Sequence, residues 1–285
     1  MSSKSEFSKF ISRMFARRIV IIGVVGAVFF LLVAILAPII SPYDPSEMDL
    51  MGKLSGLSSA HPLGTDMYGR DLLSRIIYGT RVSLVIGVLS VIISAAIGTF
   101  LGMVAAYNGG VIDAILMRFC DAFRAIPQIA LSMALIAIYG SSLFSMAVII
   151  GVSTVPAYIR MMRASTLSIT GSDYVLAAKL SGEPVLLIMY RHILPNSVSP
   201  IIIMATQQIG SSILMEAGLS FLGIGIRVPT ASWGSMVNEA RPYLLNHPLY
   251  VLAPCICIAL LVISLNLLGD GIRDALDPTL RGVNK

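Results

Sequence analysis

Gln207, Gln208 and Glu216 stand in an otherwise apolar run from about 197 to 222. A carboxylate and two side-chain amides on such a run can hold a protonated amine by charge and hydrogen bonds. An ionisable group is costly in lipid, so it faces a bundle interior or a wet cavity. Two readings are open. The three residues line a pathway, with Glu216 meeting a substrate amine, or Glu216 makes a structural hydrogen bond. Its place a turn or two from the outer end of the run favours the structural reading. Asn266, in the last apolar run, reads as interhelical glue.

Other reactive types are sparse. The three cysteines, Cys120, Cys255 and Cys257, lie in apolar or interfacial sequence, and an odd count gives no disulfide framework. Cys255-x-Cys257 has no histidine or carboxylate nearby to complete a metal site, so it reads as packing. His61, His192 and His247 are scattered, so no metal site is expected. No G-x-x-x-x-G-K-[ST] phosphate cradle occurs; the one Gly-Lys pair, Gly52-Lys53, is followed by Leu54. Catalytic residues are expected to be absent.

The elements that must position these residues are membrane spans. Of 285 residues 56% are hydrophobic and 12% charged, about half the charge of a soluble domain. The net charge of +5 sits mostly at the ends of apolar runs, where orientation and anionic lipid explain it without nucleic acid. Residues 19–40 are long enough to cross the bilayer, and too long for the apolar stretch of a cleaved signal. Val82–Tyr107 carries Ser90, Ser94, Gly98, Gly102 and Ala106 at four-residue spacing, a face for close helix approach. A third span takes in Asp113, Arg118, Asp121 and Arg124, whose spacing predicts Arg118–Asp121 and Asp121–Arg124 pairs on one face. The fourth is expected at 143–162, the fifth at 197–222 and the sixth at 248–269. With the N-terminus inside, Lys and Arg divide 14 inside to 6 outside, which predicts both termini in the cytoplasm.

Between the fourth and fifth spans lies "YVLAAKLSGEPVLLIMYRHILPN" (174–196). Ser172 or Asp173 can cap a helix, Gly182 can end it, and Glu183-Pro184 can start a second that stops at Pro195. This folded basic loop is either a docking element or an amphipathic helix lying on the bilayer. In the outer segment "HPLGTD", Asp66 is expected to cap residues 67–78, with Arg70, Asp71, Arg75 and Arg81 populating an outer amphipathic helix. That helix either meets an outside partner or is a scaffold at the outer mouth. The single tryptophan, Trp233, reads first as an interfacial anchor and second as a gate or receptor contact.

"YVLAAKLSG…YRHILPN" resembles the EAA loop of ABC importer permeases. "HPLGTDMYGRDLLSRIIYGTRVSL" (61–84), "LSFLGIGIRVPTASWGSMVNEAR" (219–241) and "LGDGIRDALDPTLR" (268–281) resemble the second permease subunit of dipeptide, oligopeptide and nickel importers. The resemblance covers residues 19–281. It implies an all-α integral membrane protein with six transmembrane helices, like a type I ABC importer permease, with a cytoplasmic helix–turn–helix coupling loop. The segments would be a basic N-terminus (1–18), a first span (19–40), an external loop (41–81), a five-helix core (82–269) containing the coupling loop (163–192), and a cytoplasmic tail (270–285).

The resemblance also implies partners: a homologous permease, two cytoplasmic ATPases that bind ATP and Mg, an extracytoplasmic substrate-binding protein, and the lipid bilayer. No cofactor would be bound by this chain. Asp173, Tyr174, Ala177, Ala178, Gly182, Glu183, Arg191 and Pro195 would form the ATPase-coupling loop. Asp66, Arg70 and Trp233 are candidates for external contact. Leu176 stands where the family has the first Glu of EAA, so a polar contact is missing or comes from Asp173 or Glu183. The implied substrate is a short peptide, with nickel or a metal chelate as the alternative. Composition alone also leaves open a channel or an ion-gradient transporter, which a bound ATPase would discriminate.

Overall fold

The computed structural model describes residues 17–276, together with Ile11, Met14 and Phe15. Lys4, Lys9 and Arg13 of the basic N-terminus, and Asp277 and Arg281 of the tail, lie outside the described residues. Among those described, every extended element is helical.

Helix α1 (Arg18–Ile40) is apolar on all sides and packs along α10 (Pro248–Leu276). Helix α2 (Leu72–Asn108) is the longest. Its 37 residues span about 55 Å against a hydrocarbon core of about 30 Å. It is therefore longer than the hydrocarbon core, and Arg75 and Arg81 lie in its first three turns, where the excess length falls. Its start differs from expectation. The helix begins at Leu72, not near 67, because Asp71 rather than Asp66 is the cap: Ser74 N–H donates to Asp71 Oδ2 at 2.7 Å. Asp66 instead accepts from the Tyr68 and Arg70 backbone N–H groups in the turn before it.

The small-residue stripe of α2 is buried against α5 (Leu143–Ile169). A Cβ on Gly102 would stand 2.7 Å from Met162 Cβ, and one on Gly98 would meet Tyr158 Cβ. The missing side chains set the distance between these two helices.

Two further crossings are bent pairs. Helices α3 (Gly110–Ala125) and α4 (Gln128–Tyr139) meet at 88°. The break falls at Ile126, extended before Pro127, as the proline ring requires. The expected pairing of Arg118 and Arg124 with Asp121 is not found. Asp121 pairs with Arg160 and Asp113 with Arg163 across to α5, the latter through two bonds, including Nη2 to Oδ2 at 2.6 Å. Pairing between helices neutralises charges on both at once, and the planar guanidinium matches a carboxylate fork.

The loop after α5 folds as α6 (Asp173–Leu180) and α7 (Val185–Ser197). Helix α7 does not stop at Pro195. One turn widens to π geometry at Met189–Ile193, with Leu194 N–H donating to Met189 O. The wider turn absorbs a residue that lacks an N–H and would clash in a regular turn. The chain bends by 65° at Val198 into α8 (Ser199–Leu219). It leaves helical form near Gly223, forms the short helix α9 (Trp233–Ala240), and returns through α10. Four single helices and two bent pairs make six crossings when each bent pair counts as one.

Candidate functional site

The loop at 173–197 is anchored by its inner face. Val175, Ala178, Ile188, Met189 and Ile193 are buried with Tyr158 and Met162 of α5. Lys179 Nζ stands 4.6 Å over the Tyr107 ring, tying α6 to the end of α2. Ser172 occupies the cap position, but its hydroxyl donates to Ile169 O at 2.7 Å instead of capping. Gly182 takes φ +75° between the two helices, the left-handed region that a Cβ disfavours.

The outer face of this loop is apolar: Tyr174, Leu176, Leu180, Leu186 and Tyr190 are exposed, Leu180 to 89%. A folded patch of this kind marks a contact surface. Of the expected coupling residues, Asp173, Tyr174, Ala177, Gly182, Arg191 and Pro195 are exposed. Ala178 is buried and serves the anchor, so it does not present to a partner. Glu183 is half-buried and faces His192 Nε2 at 3.1 Å. With Glu183 engaged, Asp173 is the exposed carboxylate nearest to Leu176.

At the opposite end the outer-contact expectation is corrected. Asp66, Arg70 and Trp233 are all fully buried. Arg70 Nε donates to Asp66 Oδ2 at 2.5 Å and Arg70 Nη2 to Glu239 Oε2 at 2.7 Å. Arg75 completes the set, 3.4 Å from Asp66 and 3.5 Å from Glu239. Two cations and two anions in one buried cluster neutralise one another, which is what makes their burial tolerable. Trp233 is no interfacial anchor. Its Nε1–H donates to Ile76 O at 2.9 Å, and its ring fills the notch that Gly79 leaves on α2. A Cβ on Gly79 would stand 2.7 Å from Trp233 Cδ1. Phe30 of α1 closes the far side edge-on, 5.9 Å between centroids.

The three expected pathway residues are not brought together. Gln208 lines a cavity of about 260 Å³ at the α3–α4 bend, with Arg124, Gln128 and Ser153. Gln207 instead packs toward Gly269 of α10. Glu216 is fully buried, and Ser220 Oγ donates to its Oε1 at 2.7 Å. Successive helical positions point in different directions, so neighbours in sequence face different partners. Glu239 and Arg227 were not singled out from sequence. Glu239 lies 169 positions from Arg70, and no local spacing links the two.

Comparison with known proteins gives these sites a context. Residues 98–282 match the family model described as binding-protein-dependent transport system inner membrane component. Residues 5–59 match the N-terminal TM domain of oligopeptide transport permease C. The dipeptide transport system permease protein DppC of Haemophilus influenzae is 42% identical over 268 residues, 91% of each chain. The glutathione transport system permease protein GsiD of Pectobacterium atrosepticum is 40% identical, covering 98% of this chain and 93% of its own. The di/tripeptide transport system permease protein DppC of Pseudomonas aeruginosa is 40% identical over 269 residues, 91% of this chain and 89% of its own. Among solved structures, an inward-facing form of the MetNI methionine ABC transporter matches with TM-score 0.59 and 21% identity, covering 72% of this chain and 98% of that one. The match is one of fold. The chain belongs to the family of binding-protein-dependent transport system inner membrane components and is a multi-pass permease subunit of an ABC importer.

Proposed function

We propose that this chain forms one half of a translocation pathway for short peptides, paired with a homologous permease. Two cytoplasmic ATPases bind ATP and Mg and drive it, and an extracytoplasmic binding protein delivers the peptide. The observation that carries the reading is the anchored loop with an apolar outer face, Leu176 and Leu180 at its centre, on a chain without a phosphate cradle. Such a chain needs its energy from another protein, and the loop is a surface built to receive it. In this orientation both termini and the loop are cytoplasmic and residues 41–81 are external, in line with the Lys and Arg bias. The relatives named for dipeptide, di/tripeptide and glutathione transport support a peptide substrate over nickel or a chelate.

The test is reconstitution. Expression with the partner permease, the ATPases and the binding protein should yield a complex from which the ATPases copurify. Proteoliposomes should then take up labelled di- and tripeptides only with ATP. Uptake without an ATPase, driven by an ion gradient, overturns the importer reading. ATP-dependent uptake of nickel but of no peptide overturns the substrate.

A further inference from the structure

A cleft of about 680 Å³ opens at the outer end of the bundle. Tyr68 of the external loop, Gly140-Ser141 between α4 and α5, the chain at 220–228 and the α9 residues Asn238 and Glu239 line it. Its size suits a small ligand, for which pockets of about 300–1,000 Å³ are usual. Its chemistry is bipolar. Arg227 is exposed on the lining and makes no ion pair among the described residues. Glu239 supplies the opposite charge and does not pair with Arg227.

Glu239 is held in a particular way. All of its polar contacts with the described residues fall on Oε2: Arg70 at 2.7 Å, and Arg75 and Tyr250 at 3.5 Å. Oε1 accepts no bond from them. The buried guanidinium groups of Arg70 and Arg75 fix the carboxylate through Oε2, while Oε1 is left for a ligand. Between the two charges the backbone is irregular. Gly223 takes φ +85°, outside the helical region, so the backbone departs from the axis of α8 there and runs along the cleft lining.

We propose that this outer cleft is a transit site for a short zwitterionic peptide. The peptide carboxylate meets Arg227 and its ammonium meets Glu239 Oε1, with the short chain between them lying along the lining near Gly223. The inference rests on the peptide reading above and assigns where, in this chain, the two charged ends are first held.

The experiment uses proteoliposomes holding the full importer, with labelled dialanine supplied on the binding protein. Glu239 is left intact, because its loss would also break the buried cluster. Arg227→Gln is expected to slow uptake about tenfold. Binding-protein-stimulated ATP hydrolysis should stay at the wild-type rate, and Arg227→Lys should recover most of the uptake. Unchanged uptake in Arg227→Gln overturns the site. So does a parallel fall in uptake and ATP hydrolysis, which would put Arg227 on the binding protein rather than on substrate. A wild-type importer that hydrolyses ATP but transports no peptide from a di- and tripeptide panel overturns the peptide reading, and the site with it.

Discussion

Arg70 Nη2 donates to Glu239 Oε2 at 2.7 Å, joining the turn before α2 to helix α9 across 169 positions of sequence. Asp66 and Arg75 complete the cluster. One electrostatic knot therefore holds the turn at residues 66–70, the start of α2 and the short helix α9 in a fixed relation. The wall of the outer cleft is built on that knot.

Removing one member of a buried charge cluster leaves its partners uncompensated. Asp66→Ala strips both guanidinium groups of a counter-ion and the 68–70 turn of its acceptor. The expected cost is about 3–5 kcal/mol. It should appear as a large fall in the thermal midpoint of the detergent-solubilised protein. A midpoint within a degree of wild type would show that the cluster carries no stability.

Gly79 and Trp233 make a second, apolar lock. Gly79→Val places branched carbons where the indole stands and should cost about 1–3 kcal/mol through overpacking. Trp233→Phe keeps an aromatic ring but loses both the bond to Ile76 O, about 1 kcal/mol, and the buried volume of the second ring. Both midpoints should fall, the first through crowding of the notch and the second through the lost bond and the void. Equal midpoints for Gly79→Val and wild type would mean that the notch is not needed.

The spans were legible because apolar run length and flanking charge report directly on the bilayer. The four-residue stripe of α2 was legible for a similar reason: period alone puts Ser90, Ser94, Gly98, Gly102 and Ala106 on one face. The ion pairs were not. Local spacing favoured Arg118–Asp121, but Asp121 had a partner in Arg160 on another helix, and tertiary geometry decided. Asp66 and Arg70 looked like surface residues because charged residues usually are. Their burial depends on Arg75 and on Glu239, far away in the chain. Gln207 and Gln208 are adjacent in sequence, yet the helix sends them to different neighbours.

The conformation of Gly182 predicts a coupling variant. With φ +75°, a residue bearing a Cβ costs about 1–2 kcal/mol at this turn. A Cβ there meets nothing within 4 Å, so Gly182→Arg should insert and fold. The long cation would project beside the apolar face of Leu176 and Leu180. ATPase copurification and peptide uptake should both fall, while Gly182→Ala should retain most of each. Normal copurification and uptake in Gly182→Arg would remove this face from the docking surface.

Orientation can be read with single cysteines at two highly exposed positions, Met51 and Leu180. An impermeant thiol reagent on intact cells should label Met51→Cys. Leu180→Cys should react only after permeabilisation. The reverse pattern would invert the topology and place the two-helix loop outside, where no ATPase could reach it.

Glu216 separates structure from transport. Its side chain is fully buried and bonded to Ser220, which itself lines the outer cleft. The carboxylate thus stands one side chain behind the cleft wall rather than on it. Glu216→Gln keeps an acceptor for the Ser220 hydroxyl and removes only charge, so uptake and thermal midpoint should stay close to wild type. Glu216→Leu leaves that hydroxyl without its acceptor, at about 1–3 kcal/mol, and should lower the folded fraction. A substrate ammonium on Glu216 would behave otherwise. Losing the charge would then weaken transport by about 1.5–3 kcal/mol, tenfold or more, with stability unchanged. A large uptake defect in Glu216→Gln at an unaltered midpoint would therefore move the ammonium contact from Glu239 to Glu216 and require Ser220 to swing aside during transport.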